Sequence, residues 1–261
     1  MHQEPRLAMS KVPEVTLVFW IIKILATTLG ETGGDALSMS MNLGYLLSTG
    51  IFAIVFVVMV TVQIRAGKFH PVIYWATIVA TTTVGTTLAD FADRSLGIGY
   101  AGGTSLLLVM LAASLWIWKR TLGTVAVDTV NSPRSEMFYW ITIMCSQTLG
   151  TALGDWTADT AGIGYGGGII VFGGSLTIIT LAYWFTKISP TILFWAAFIL
   201  TRPLGAVVGD FLDKPTNEGG LNLSRYAASS TLVLLMVFFI FAFRHQPAKH
   251  LIATGDDPRQ P

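Results

Sequence analysis

Eight acids in this chain fall into four close pairs: Glu31 and Asp35, Asp90 and Asp93, Asp155 and Asp159, Asp210 and Asp213. On a helix, a separation of three or four residues puts both carboxylates of a pair on one face. Carboxylate oxygens suit hard cations. No softer ligand set competes, because Cys145 is the only cysteine and His2, His70, His245 and His250 lie outside the apolar segments. Ionisable groups at membrane depth are costly and default to a functional reading. The chemistry expected of the eight is therefore cation binding, with Asp35, Asp90, Asp155 and Asp210 as metal ligands. Carboxylates crowded in a poorly hydrated site repel one another, so proton exchange would accompany it. The plainer alternative is a set of solvated loop acids. It applies most to the second member of each pair, and Asp93-Arg94 and Asp213-Lys214 read as surface ion pairs.

The acids belong to a repeat. Counting from a tryptophan, glycine follows at plus ten, aspartate at plus fifteen and glycine at plus twenty-four, four times over. The sets are Trp20/Gly30/Asp35/Gly44, Trp75/Gly85/Asp90/Gly99, Trp140/Gly150/Asp155/Gly164 and Trp195/Gly205/Asp210/Gly219. An aromatic residue precedes each tryptophan: Phe19, Tyr74, Tyr139 and Phe194. The tryptophans stand 55, 65 and 55 residues apart, as in two copies of a two-repeat half. Such self-similarity identifies the unit that must be explained.

What must position these residues is a set of membrane helices. The chain is 52% hydrophobic and 12% charged, about half the charged fraction of a soluble domain. Apolar stretches long enough to span a bilayer run over residues 16–34, 44–64, 72–91, 101–119, 137–156, 166–186, 191–211 and 227–243. This predicts an all-α integral membrane protein of eight transmembrane helices, in a single membrane domain over 1–261. Its repeats cover 15–66, 70–120, 135–188 and 190–244, and its halves 1–125 and 126–261. The first stretch is too long for a signal-peptide core and is read as a retained helix. Two helices per repeat start every repeat on the same side, so the repeats are parallel, with pseudo-twofold or pseudo-fourfold symmetry. Basic residues gather on one side, at Arg6, Lys11, Arg65, Lys68, Lys119, Arg120, Arg134, Lys187, Arg244, Lys249 and Arg259. Arg94, Lys214 and Arg225 are the exceptions on the acidic side. The positive-inside rule puts both termini in the cytoplasm.

The odd helices carry the polar residues and should line the interior, leaving the even helices to lipid. The tryptophans read as interfacial anchors and packing residues, and the plus-ten glycines as close helix crossings. Glycine at plus twenty-four suits a backbone turn whose carbonyls face a cavity. Thr27, Thr28, Thr82, Thr83, Gln147 and Thr148 supply polar lining about two turns before the aspartates. The fourth repeat has Arg202-Pro203 at those offsets, and Arg202 is expected to be an internal counter-charge to Asp210, two turns away on the same face. Lys23 is expected to snorkel to the inner interface.

Four tandem two-helix repeats, each opening on an aromatic–tryptophan pair between Val15 and Arg244, resemble a bacterial membrane-protein family known as a repeat of unknown function. That resemblance implies an eight-helix inner-membrane protein and no activity. Separately, Glu31-Thr32-Gly33-Gly34-Asp35 looks like the Glu-x-Gly-Asp signature of manganese and calcium exporters, with one extra residue between Glu and Asp. The other repeats have Thr86, Thr151 and Ala206 in place of the Glu. The function expected is a transporter or channel for a divalent cation such as manganese, coupled to protons. The alternatives are a carrier of a small organic solute and an accessory membrane subunit. No nucleophile–base pair, nucleotide loop or hydrolase motif is present, so no enzyme is expected. Neither a cofactor nor a nucleic-acid partner is expected; the partners are the bilayer, a cation substrate and a second copy of the chain.

Overall fold

The computed structural model describes residues 7–251; His2, Arg6 and Arg259 lie outside them. Eight long helices make up the body: α1 (Leu17–Asp35), α2 (Gly44–Arg65), α3 (Pro71–Asp90), α4 (Tyr100–Leu122), α5 (Pro133–Asp155), α6 (Gly164–Phe185), α7 (Pro190–Asp213) and α8 (Arg225–Ala242). Pro71, Pro133 and Pro190 occupy the first helical position, where the missing N–H would have had no partner anyway. Thr16 caps α1 by accepting from the Phe19 amide. Seven of the eight are long and apolar enough to cross a membrane. The exception, α5, carries Glu136, Ser146, Gln147 and Thr148 among its buried residues.

Beyond the plus-fifteen aspartate, α1, α3 and α5 continue as one π-helical turn, over Ala36–Ser40, Phe91–Ser95 and Trp156–Thr160. α7 has no such turn and ends at Asp213, two residues before Pro215. The plus-twenty-four glycines are turn residues. Gly44, Gly99, Gly164 and Gly219 have φ of 73°, 77°, 67° and 88°, a left-handed conformation that only glycine adopts without cost.

The odd helices form a closed ring in the order α1, α3, α5, α7, with α7 packed back on α1. Each even helix packs on the odd helix of the following repeat rather than its own: α2 on α3, α4 on α5, α6 on α7 and α8 on α1. A repeat is therefore not a packed hairpin, and its outer helix buttresses the next unit round the ring. Outer helices are apolar and exposed; in α2 only Ser48 and Gln63 are buried. Inner helices are buried along most of their length.

Added to the all-α plan is a small cap. Strand β1 (Leu7–Pro13) pairs antiparallel with β2 (Pro247–Leu251). The Lys11 and Ser10 positions of β1 are tied to the chain before α5, through Lys11 N–H to Val130 O (2.7 Å) and Ser10 Oγ to Val127 O (2.7 Å). Lys11 Nζ lies 2.6 Å from Glu136 of α5. The cap covers the tryptophan end of the ring, where the Trp195 indole donates to Val125 O at 2.9 Å.

Candidate functional site

Offsets of zero, seven, eleven and fifteen from the tryptophan return to nearly the same helix face at 3.6 residues per turn. In a ring of four parallel helices, that face is the one turned to the axis. The axis is consequently lined in layers, each layer taking one residue from each repeat.

The first layer is an aromatic collar. Ring contacts run Phe19–Trp75 (5.3 Å), Trp75–Tyr74 (5.2 Å), Tyr74–Trp140 (5.8 Å) and Trp140–Tyr139 (5.1 Å). They continue Tyr139–Trp195 (6.3 Å), Trp195–Phe194 (5.4 Å), Phe194–Trp20 (5.8 Å) and Trp20–Phe19 (5.1 Å), closing the circle. These spacings favour edge-to-face packing. Tyr74 and Tyr139 also share a hydroxyl hydrogen bond of 2.6 Å. Trp75, Trp140 and Trp195 are buried and Trp20 is half-buried. These tryptophans are packing residues, as expected, but they seal the axis instead of anchoring at a lipid interface.

The plus-ten glycines make the crossings. A Cβ at Gly30 would collide with Thr82, at Gly150 with Arg202 and at Gly205 with Thr27; at Gly85 it would come within 3.1 Å of Gln147. Each glycine thus receives the plus-seven residue of a neighbouring repeat, which lets the helix backbones approach closely. Hydroxyls reinforce two of these crossings, Thr27 to Thr201 O (3.2 Å) and Thr82 to Ala26 O (3.2 Å). At plus eight, Thr28, Thr83 and Thr148 are buried but donate to carbonyls of their own helices.

Arg202 closes the middle. Its Nη2 reaches Glu31 Oε2 of α1 (2.9 Å), Thr86 Oγ1 of α3 (2.6 Å) and Thr151 Oγ1 of α5. One guanidinium from α7 therefore touches all three other inner helices, with no exposure to solvent. Its partner is Glu31 and not Asp210, which corrects the expectation drawn from same-face spacing. Arg202 leans across the axis, where the long side chain finds a carboxylate on the adjacent helix.

The plus-fifteen aspartates form the last layer. All four are buried, but they do not join into one ring of ligands. Arg94 lies 3.1 Å from Asp90 and 3.5 Å from Asp155. Lys214 lies 2.6 Å from Asp35 and 3.1 Å from Asp210. Arg94 and Lys214 occupy the same offset, plus nineteen, in repeats two and four, so each bridges its own aspartate to that of the next repeat. Arg225 adds contacts to Asp213 (2.9 Å) and Asp35 (3.8 Å). The surface pairs expected for Asp93-Arg94 and Asp213-Lys214 are replaced by these inward bridges. At Lys214, just past α7, burial pulls the ammonium down, but Asp210, Asp35 and Asp213 outweigh it and hold it above the usual lysine range.

The two cation-bridged aspartate pairs differ. Glu31, Asp35 and Asp210 bring ligand atoms within 4.8 Å of one another, and Asp35 Oδ1 is buried without a hydrogen-bond partner. Asp90 and Asp155 stand outside that trio, so of the four aspartates expected to ligate a metal only Asp35 and Asp210 come together, with Glu31. Asp213 is buried against Arg225, Asp93 is buried beside Gly103 of α4, and Asp159 is exposed, with the Tyr100 hydroxyl 3.4 Å away.

Four buried or ion-paired basic residues were missed or misread. Arg94, Lys214 and Arg225 had a sequence signal: they are the only basic residues on the acidic side. Lys23 does not snorkel. It is fully buried, with its ammonium 4.2 Å from the centre of the Phe198 ring.

The chain belongs to the family described as Repeat of Unknown Function (DUF347), whose model matches it four times, over residues 18–69, 73–124, 138–189 and 193–247. Each match opens two residues before one of the repeat tryptophans. No curated protein and no solved structure matches the chain.

Proposed function

We propose that this member of the repeat family moves a divalent cation, such as manganese, across a bacterial inner membrane in exchange for protons. The observation that carries this reading is the buried trio Glu31, Asp35 and Asp210, with Asp35 Oδ1 left unpartnered. Oxygen ligands from two adjacent helices suit a hard cation, and a bare carboxylate oxygen is costly to bury without a partner. Charge balance supports it. The ion-paired groups at this end comprise the carboxylates of Glu31, Asp35, Asp90, Asp155, Asp210 and Asp213, against the cations Arg94, Arg202, Lys214 and Arg225. Carboxylates outnumber cations by two, a deficit that one divalent ion or two protons would fill.

In this reading all eight helices span the bilayer, with a pseudo-fourfold axis along the membrane normal. The basic loops and the strand cap face the cytoplasm, and the aspartate layer faces outwards. The ion enters from the aspartate end, and the collar and Arg202 hold the path shut on the other side. Passage requires Arg202 to leave Glu31.

Flux tests this. In proteoliposomes loaded with a metal-sensitive dye, the wild-type chain should pass manganese, with opposing proton movement. Asp35→Asn, Asp210→Asn and Glu31→Gln should each lower flux per folded molecule at least about tenfold, the loss expected for a charged ligand. Asp159→Asn, on the exposed acid, should not. Equal flux in all four variants would refute the trio as the site.

A further inference from the structure

The four outer helices do not end alike on the collar side. In its last turn α4 carries two basic residues, Lys119 and Arg120, whereas α2 carries only Arg65 and α6 and α8 carry none. A cation there complements the helix dipole, but that does not explain why one outer helix has a pair. Both side chains are exposed. Neither forms an ion pair among the described residues.

Their direction is fixed by a neighbour. Trp118 is buried, with its ring 6.3 Å from Tyr139 and 5.8 Å from Trp195 of the collar. Trp116 and Arg120 each lie two residues from Trp118, roughly 200° round the helix, and so face away from the ring. Trp116, Lys119, Arg120 and Gly123 together line one open hollow of about 430 Å³. The Arg120 guanidinium carbon stands 5.5 Å from the centre of the Trp116 ring. Such stacking uses the flat face of the guanidinium and leaves its N–H edges to bind an anion. At Gly123 nothing lies within 4 Å of where a Cβ would be, so the hollow is open at the helix end.

The same face continues along α4 as an apolar track. Val109, Ala112 and Ala113 precede Trp116 by seven, four and three residues, and all three are exposed. The ten residues from Val109 to Lys119 rise about 15 Å, half of a hydrocarbon core of about 30 Å. A ligand fitting this face is apolar for the depth of one leaflet and anionic at its end. Free phosphate would meet the cations and leave the track bare.

We propose that the outward face of α4, from Val109 to Gly123, binds one anionic phospholipid. Its phosphodiester lies on Lys119 and Arg120, with Trp116 at the level of the glycerol and an acyl chain along Val109, Ala112 and Ala113. The site rests on α4 lying in a bilayer and not on cation transport, since the acid trio is at the opposite end of the helices. Because α4 packs on α5 of the ring, a lipid held here stabilises the folded state.

The test uses the full chain, delipidated in detergent, with phosphatidylglycerol, phosphatidylcholine or inorganic phosphate added at constant ionic strength. Thermal unfolding is read against the concentration of each. Phosphatidylglycerol should raise the unfolding temperature saturably, with a half-saturation about tenfold or more below that of phosphatidylcholine, as two cations beside one anionic headgroup predict. Inorganic phosphate alone should have no effect. Lys119→Gln combined with Arg120→Gln should abolish the preference between the lipids. Arg65→Gln combined with Lys68→Gln, at the end of α2, should keep it, which separates a site from general charge attraction. All four substituted side chains are exposed, so both variants should fold. Equal responses to the two lipids, a response to phosphate alone, or the same preference in both paired variants would overturn the proposal.

Discussion

Removing the Arg202 guanidinium should expose how much the centre of the ring depends on one side chain. Arg202→Met keeps much of the length and apolar stem but withdraws Nη2 from Glu31, Thr86 and Thr151. Glu31 is buried, so it would be left without its 2.9 Å partner. Breaking a buried ion pair by deleting one member costs about 3–5 kcal/mol, mostly the penalty on the charge left behind. For a chain of this size that corresponds to a fall of roughly 6–20 °C in unfolding temperature. Glu31→Gln combined with Arg202→Met leaves no orphaned charge and should recover most of the loss. The assay is thermal unfolding of the purified chain for wild type, both single variants and the double. A coupling energy of about 2 kcal/mol or more is expected between positions 31 and 202, and near zero between 202 and 210 when Asp210→Asn is used instead. Additive effects at 31 and 202, or coupling that appears at 210, would refute the assignment of Arg202 to Glu31.

Other outcomes follow from the same geometry. Gly205→Ala drives a Cβ into Thr27, backbone included, and should cost about 1–3 kcal/mol by thermal unfolding. Gly50→Ala, in open space on α2, should instead be neutral or stabilise by up to about 1 kcal/mol. Lys214 has its ammonium held above the ordinary lysine range, so its contribution is complete below that range and is lost only as pH rises through the folded value. The stability deficit of Lys214→Met should therefore persist undiminished from neutral pH up to about 10.5, as checked by unfolding across pH. In a Cys145→Ala background, Ser95→Cys and Ala161→Cys, both at exposed positions beside the aspartate layer, should react with an impermeant thiol reagent applied outside cells. Labelling only after permeabilisation would invert the orientation.

Read along the chain, the repeat, its tryptophan-to-aspartate spacing and the apolar stretches determined that there are eight long helices and which of them are inner. Those features depend on helical rise and on the 3.6-residue turn, which are local and the same everywhere. Glycine at plus ten announced a close crossing for the same reason. The order of the ring was not legible, nor was the packing of each even helix on the next repeat, because the azimuth at which helices meet is set by facing side chains and not by spacing within one helix. Arg202 illustrates the limit. Its offset from Asp210 is a true same-face separation, yet a flexible side chain in the centre of four helices takes the nearest carboxylate across the axis. Lys23 looked like a residue that would reach water, but the collar stands between it and the surface. Pairing of β1 with β2 joins segments some 240 residues apart in the chain, a contact that local pattern cannot encode. The tertiary structure alone decided which acid meets which cation.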